Sequence, residues 1–410
     1  VYQIKMNTNW KYDDLLKGKL ELYVAQCLKR TEIVELMKKE FGNYPWSLST
    51  LTRRFNHFGI RYTDTEVPVE SVREAVSTEL RGPGRLLGYR AMHKKLRVVH
   101  GLKVPRSLVH DVMFLEESQL LKDRRPCQKK KRVKGHFVSN GPNWVHSFDG
   151  HDKLMGYQNS TFPLAVYGCI DTASRKILWL KIWTSNSDPK LVGKWYLQHI
   201  IETKRISNMV RLDKGTETGD LAAIHCFLRS RCDENLEDPS SVIHYGPSTS
   251  NQIERWWKEL HERLEKFFKG QLLFLKCGGH YDPSCEQDRM ILAYIMIPIL
   301  QAELNTFKDV IWNCHRIRYQ KDQVLPDGVP NHIYTVPEVH DLVECGFDVS
   351  DQDIQSLIDE SGITPEDADY LDDDFRHLCE QYLPNLELVK PHECQEAYIY
   401  LKREIENGSF

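Results

Sequence analysis

The chain changes character at about residue 143, and this change is the feature that most constrains its fold. Before it, apolar residues recur at helical spacing; after it, short apolar runs alternate with helical patterns. The patterns predict strands over 144–149, 161–170, 176–183, 209–213 and 242–245, and helices over 189–202, 221–231 and 253–269. Three strands in hairpins followed by α/β alternation predict an α/β fold, a mixed five-stranded sheet with helices on both faces.

The helical front of the chain is a candidate DNA-binding region. Residues 31–41 form an amphipathic pattern, and after a Gly-containing turn Ser47 or Ser49 can cap a second helix. This second helix carries Arg53 and Arg54. One interpretation is a helix-turn-helix that places these two arginines on DNA, and the other is a plain helical pair.

These patterns divide the chain into four predicted segments. A second basic helical pair is expected over residues 83–121, with Pro105 at the first turn of its second helix. The predicted segments are a helical, helix-turn-helix-like region over 1–121, a basic linker over 122–142, an α/β core over 143–335 and an acidic helical region over 336–410.

Charge is distributed unevenly along the chain. Residues 1–140 hold 28 Lys and Arg against 15 Asp and Glu, residues 141–335 hold 23 of each, and residues 336–410 hold 4 against 20. This asymmetry favours a polyanion-binding front and an acidic tail, and a solvated, merely uneven surface is the alternative.

The two charged segments beside the core carry separate predictions. The acidic tail has recurring apolar positions, which predict a small folded unit that binds a protein partner or competes with DNA for the basic front. The linker is a spacer, a phosphate contact or a nuclear-import signal, and we expect a nuclear protein. Its four consecutive basic residues are Lys129, Lys130, Lys131 and Arg132.

Cysteine and apolar content indicate the compartment. Eleven cysteines without a CxxC pair indicate a reducing environment and argue against a zinc site. No uninterrupted apolar run reaches the roughly 18 residues of a membrane span, and the run over 290–300 is broken by Pro298. We therefore expect neither membrane association nor secretion.

Three carboxylates stand where the predicted architecture brings chain segments together. Asp149 ends the first strand, Asp213 ends the fourth, and Glu254 begins the long helix. Three carboxylates at one sheet edge repel each other, and a divalent cation resolves the repulsion. The sequence therefore predicts a catalytic metal site at these residues. Asp152 is the alternative to Asp149 as first ligand.

Four segments of the core resemble the catalytic core of retroviral integrases and their transposase relatives, the DDE polynucleotidyl transferases. These segments are WVHSFDG, IDTASRKILWLKI, VRLDKGTE and PSTSNQIE. Their combination is most similar to the animal, transposon-derived group of integrase-core proteins. The resemblance covers about residues 143–335 and implies a ribonuclease-H-like fold.

The resemblance implies roles for individual residues. Asp149, Asp213 and Glu254 would hold two Mg²⁺ ions, for which Mn²⁺ can substitute, with Asp149 bridging them. Lys258 and His261 lie on the face of Glu254 and match family positions that contact DNA, so both are candidates for holding substrate phosphate.

The sequence departs from the family at two points. Lys214 follows the second Asp, where the family usually has Asn or a small residue, so it either contacts phosphate or perturbs the metal site. The His-His-Cys-Cys zinc module of integrases has no counterpart in this sequence.

The functional prediction is a DNA integrase or transposase that cleaves DNA ends and transfers strands. Its expected partners are transposon ends, target DNA and a second copy of the chain, because two DNA ends must be joined. A domesticated DNA-binding or chromatin-associated protein that keeps the fold without the activity is the alternative. A structure-selective nuclease on the same fold is a third possibility.

Overall fold

A computed structural model describes residues 9–117, 139–156, 160–246, 252–319, 324–364 and 369–408. The chain divides into two compact units. The first unit consists of Val1–Arg81, Leu87–His136 and Asp309–Asp341, and the second of Gly82–Leu86, Phe137–Lys308 and Leu342–Phe410. The four-segment organisation predicted from the sequence stays a prediction.

Helices and strands are distributed very differently in the two units. In chain order the α-helices are α1 Asp14–Ala25, α2 Arg30–Glu40, α3 Leu48–Phe58, α4 Val69–Arg81, α5 Tyr89–Val99, α6 Arg106–Glu116, α7 Pro189–Thr203, α8 Gly219–Cys232, α9 Gln252–Leu260, α10 Lys266–Cys277, α11 Glu286–Thr306, α12 Pro330–Thr335, α13 Asp351–Ser361, α14 Asp373–Tyr382 and α15 Cys394–Gly408. The strands are β1 Val145–His151, β2 Ala165–Asp171, β3 Ile177–Trp183, β4 Arg205–Ile206, β5 Met209–Leu212, β6 Ile243–Tyr245 and β7 Phe347–Asp348. All described strands lie in the second unit.

The second unit is built on a five-stranded mixed sheet with the strand order β3-β2-β1-β5-β6. β1 pairs antiparallel with β2 and parallel with β5. β2 and β3 pair antiparallel, and β5 and β6 pair parallel. This arrangement confirms the predicted sheet and places β1, which carries the first carboxylate, at its centre.

Helices cover both faces of this sheet because successive side chains of β1 point to opposite sides. Phe148 packs against Tyr196 of α7 with the ring centroids 5.2 Å apart, inside a large apolar cluster with α7 and α8. The next residue, Asp149, faces α9 and bonds to Trp257. The strand therefore presents a core on one face and polar chemistry on the other.

In the first unit the predicted α2–α3 pair is present. Ser47 caps α3 by accepting a hydrogen bond from the backbone N–H of Thr50 at 3.1 Å, and Gly59 with φ of 66° ends the helix. Of the two candidate caps, Ser47 is thus the one used. DNA binding by this pair stays a prediction.

The second predicted helical pair differs in its boundaries. Residues Pro83–Leu86 form a separate 3-10 turn, so the α-helix begins only at Tyr89. Pro105 is the cap residue before α6 with extended backbone, not part of the first turn. Its fixed φ suits that position, because it ends the preceding loop without requiring a backbone N–H. Helix α4 was not predicted.

One helical segment, Glu286–Trp312, is long and apolar enough to cross a membrane by length and composition. The helix continues through Pro298, which the sequence analysis expected to break the apolar run. In the structure it packs against β3 and α15, and most of its apolar window is buried. A buried core helix passes the same test, so this is weak evidence for a membrane span.

The described part of the acidic tail contains three α-helices, α13, α14 and α15, so the tail is helical as predicted. Ile354 and Leu357 of α13 join the apolar cluster of α7 and α8. Helix α15 packs against α10 and α11, and Lys402 donates to the carboxylate of Asp288 at 2.8 Å. The tail is therefore held by both apolar contacts and a partly buried ion pair.

Gly168 of β2 is a position where the sheet leaves no room for a side chain. It lies opposite Asp149, and a Cβ atom there would meet Leu180 Cδ2 at 2.7 Å and Trp257 Cη2 at 3.0 Å. We expect Gly168→Ala to lower the free energy of unfolding by about 1–3 kcal/mol through overpacking, measured by urea unfolding.

The matched control is Gly270→Ala in α10, where a Cβ would meet nothing within 4 Å. This change should raise the free energy of unfolding by about 0.4–1 kcal/mol, because alanine restricts the unfolded chain. Equal stabilities of the two variants would contradict the close approach of Trp257 to β2.

Candidate active site

The three predicted carboxylates come together in the structure. The parallel pairing of Ser147 with Arg211 places Asp149 of β1 beside Asp213, the residue that follows β5. Helix α9 contacts β1 and brings Glu254 to the same place. One carboxylate oxygen from each of the three lies within 4.8 Å of the others. β1 continues to His151, so Asp149 lies within the strand and not at its end as predicted.

Asp149 is strongly perturbed by this arrangement. It is only 9% exposed, whereas Glu254 is exposed to solvent. Burial raises the pKa of Asp149, repulsion by Glu254 and Asp213 raises it further, and a hydrogen bond from Trp257 partly opposes both, leaving it at about 8. Such a carboxylate ionises readily only when a positive charge joins it.

Trp257 orients the central carboxylate. Its indole Nε1 donates to Asp149 Oδ2 at 2.8 Å, and its ring stacks on His151 with the centroids 4.6 Å apart. Trp256 and Trp257 are 2% and 3% exposed, so both pack in the interior and neither offers a face for stacking on bases. Trp257 therefore has a polar function in addition to its apolar packing.

A second layer of hydrogen bonds supports this tryptophan. Glu265 is 1% exposed, and its Oε2 meets His151 Nε2 at 3.0 Å and His261 Nδ1 at 3.1 Å. Burial raises the pKa of Glu265, but the bonds and charges of the two histidines outweigh it and hold the pKa below its usual value. This contact was not predicted from the sequence. The His261–Glu265 spacing was visible, whereas its partner His151 lies in a distant segment.

The alternative first ligand, Asp152, is engaged elsewhere. Its Oδ1 accepts a hydrogen bond from Asn186 Nδ2 at 2.7 Å, and it is not part of the carboxylate group. Asp171 is fully buried and accepts bonds from Ser174 and from the backbone of Asn143. Of Asp149 and Asp152, only Asp149 belongs to the carboxylate group.

The predicted DNA contacts of the core have unequal access to solvent. Lys214 and Lys258 are exposed. His261 is 26% exposed and bound to Glu265, so its ring is partly committed to the structure. The linker residues lie outside the described part of the chain: Lys129, Lys130, Lys131 and Arg132.

The two predicted DNA-contacting arginines of α3 differ. Arg53 is exposed, whereas Arg54 is fully buried. The Arg54 guanidinium lies over the rings of Trp10, Tyr44 and Trp46, 3.8 Å from the Trp46 centroid. Burial, and then repulsion by Arg53, lowers the pKa of Arg54 to about 10. In this structure Arg54 stabilises the helical unit through cation–π contacts and does not offer its charge to a phosphate.

The sheet order and the carboxylates from β1, the end of β5 and α9 define a ribonuclease-H-like fold. Residues 137–340 match the family described as integrase core domain. The chain is therefore an integrase-like core protein of the integrase and transposase family. No curated protein matches it. Membership of the animal, transposon-derived group stays a prediction.

The raised pKa of Asp149 gives a pH-dependent stability. The folded protein binds this proton more tightly than the unfolded chain, so stability falls as the pH rises from near 4 towards 8. Without metal, we expect Asp149→Asn to raise the Tm by a few degrees at about pH 8.5 and to change it little at about pH 5. Thermal unfolding in a chelating buffer measures this, and an effect independent of pH would contradict it.

The indole bond to Asp149 predicts a role for Trp257 in metal binding. Trp257→Phe removes the donor but keeps most of the ring, and it should weaken Mn²⁺ binding about 10–100-fold, as losses of outer-shell partners do. Isothermal titration calorimetry measures the affinity. Trp256→Phe is the matched control, because its neighbouring ring makes no bond to the carboxylate group.

Proposed function

We propose that this chain is a metal-dependent DNA integrase or transposase that cleaves DNA ends and transfers strands. The observation that carries the proposal is the approach of Asp149, Asp213 and Glu254 to within 4.8 Å inside a matched integrase core domain. The family match supports a reaction on nucleic acid, and the carboxylates are suited to hold the metal ions that such a reaction requires.

The residues fit divalent metal ions. The three groups offer only oxygen ligands, which suit Mg²⁺ and also Mn²⁺. Burial and the neighbouring carboxylates raise the pKa of Asp149 to about 8, so a cation bound beside it would stabilise its ionised form. Two ions held by Asp149, Asp213 and Glu254 would activate a water or 3′-hydroxyl and stabilise the leaving oxygen.

The surrounding side chains position these ligands and the substrate. Trp257 donates to Oδ2 of Asp149 and thereby fixes the orientation of this carboxylate. Lys258 lies one helical turn after Glu254, and Lys214 directly follows Asp213, so both exposed cations can contact a phosphate held at the carboxylates. The exposure of Lys214 therefore favours the interpretation that it contacts DNA over the interpretation that it perturbs the metal site.

The wider functional setting belongs to the same proposal. Transposon ends and target DNA are the proposed substrates, and joining two ends requires at least a homodimer. The basic linker supports nuclear import and DNA contact, and the acidic tail offers a surface for a protein partner.

The activity is tested with labelled duplexes of several end sequences in Mg²⁺ or Mn²⁺. We expect cleavage and strand transfer by the wild-type protein, and a loss of at least about 100-fold in Asp213→Asn, because a metal ligand loses its charge. Glu237→Gln is the control and should retain activity, since Glu237 is exposed and lies outside the carboxylate group.

Two outcomes would change the conclusion. DNA binding without cleavage or transfer in either metal would favour a catalytically retired DNA-binding protein. Hydrolysis without strand transfer would favour a nuclease, since the two reactions differ only in the nucleophile.

A further inference from the structure

A pocket of about 630 Å³ opens beside the carboxylates. Glu254 and Trp257 form part of its wall, so it is continuous with the candidate active site. Three lysines from two separate parts of the chain also line it, namely Lys153 after β1 and Lys269 and Lys276 of α10. The pocket therefore has a carboxylate, Glu254, beside the candidate active site and lysines elsewhere in its wall.

The lysines of this pocket have no partner among the described residues. Lys153 and Lys276 are exposed and Lys269 is half-buried, and the described residues form no ion pair or side-chain hydrogen bond with them. By contrast, Lys266 at the start of the same helix pairs with Glu262. Three positive charges in a concave surface attract an anion that the chain itself does not provide.

Two carboxylates, Asp152 and Glu254, also line the pocket, so its three lysines exceed them by one positive charge. Asp152 bonds to Asn186, and Glu254 belongs to the carboxylate group. Leu273 is 45% exposed within the same lining and adds an apolar surface. A positively charged groove is the feature with which proteins follow the backbone of a single polynucleotide strand, so the lysines can hold phosphates while Leu273 contacts a sugar.

We propose that this pocket binds a single-stranded DNA segment continuous with the bond held at the carboxylates. The inference rests on the proposed function, because that function supplies a polynucleotide at Glu254. The pocket volume lies in the range of roughly 300–1,000 Å³ that encloses small ligands, which suits one or two unpaired nucleotides. Lys269 and Lys276 stand about two helical turns apart, so both can contact one strand.

The test is the salt dependence of binding, measured by fluorescence anisotropy in Ca²⁺ to prevent turnover. The substrates are a blunt duplex and the same duplex with a short single-stranded extension. For Lys269→Ala/Lys276→Ala, the plot of the logarithm of the association constant against the logarithm of the salt concentration should become less steep with the extended substrate. The magnitude of its negative slope should decrease by about 1.4, or about 0.7 per lost phosphate contact. The slope with the blunt duplex should not change.

Two control variants separate the pocket from general charge effects. Lys190→Ala/Lys266→Ala removes the same charge from exposed lysines outside the lining and should bind both substrates like wild type. Lys269→Arg/Lys276→Arg keeps the charge and should retain the wild-type slope. Circular dichroism and the Tm establish that each variant is folded.

Three results would overturn the pocket assignment. One is an equal fall in slope with both substrates. The second is wild-type binding of the extended substrate by the alanine variant. The third is competition by an oligoglutamate peptide, but not by a short oligonucleotide, which would indicate an acidic protein ligand. The binding experiment requires no turnover, so its result does not depend on whether the proposed catalytic function is correct. If the wild-type protein cleaves DNA but the lysine variants bind the extended substrate as the wild type does, only the pocket assignment is refuted.

Discussion

The repulsion among three carboxylates held within 4.8 Å is the constraint on which the second unit depends. Groups with this charge move apart unless rigid elements hold them. Asp149 is held because β1 pairs on both sides, with β2 and with β5. Phe148, the preceding residue, is fully buried in the opposite core. Packing on the apolar face of the sheet therefore holds Asp149 close to the other two carboxylates on the opposite face, despite their repulsion.

A chain of hydrogen bonds and ring contacts extends this rigidity away from the metal site. Trp257 bonds to Asp149 and stacks on His151, and His151 in turn bonds to the buried Glu265. Glu265 lies in a π-helical segment, His261–Glu265, between α9 and α10. The wider turn is common at functional sites. Here it joins the helix that carries Glu254 to the strand that carries Asp149.

Much of the fold and of the carboxylate group could be predicted from the sequence, because both depend on local patterns. Alternating apolar residues indicated the strands, and Asp149, Asp213 and Glu254 stood in segments that resemble integrases. What the sequence could not show depends on tertiary packing. The burial of Arg54 requires aromatic rings from three other positions, and the extension of β1 to His151 follows from its pairing with Val166 of β2.

The helix that carries Glu254 also links the carboxylate group to the pocket proposed to bind a DNA strand. Helix α9 brings the carboxylate to the sheet, and after the π-helical segment α10 carries Lys269 and Lys276 along the adjoining pocket. A negative group is tolerated near the start of a helix, where the backbone dipole favours it. Consecutive segments of the chain thus carry a carboxylate of the proposed metal site and two lysines of the proposed strand-binding pocket. Since Glu254 borders both, a strand held by the lysines would be directed towards the carboxylates.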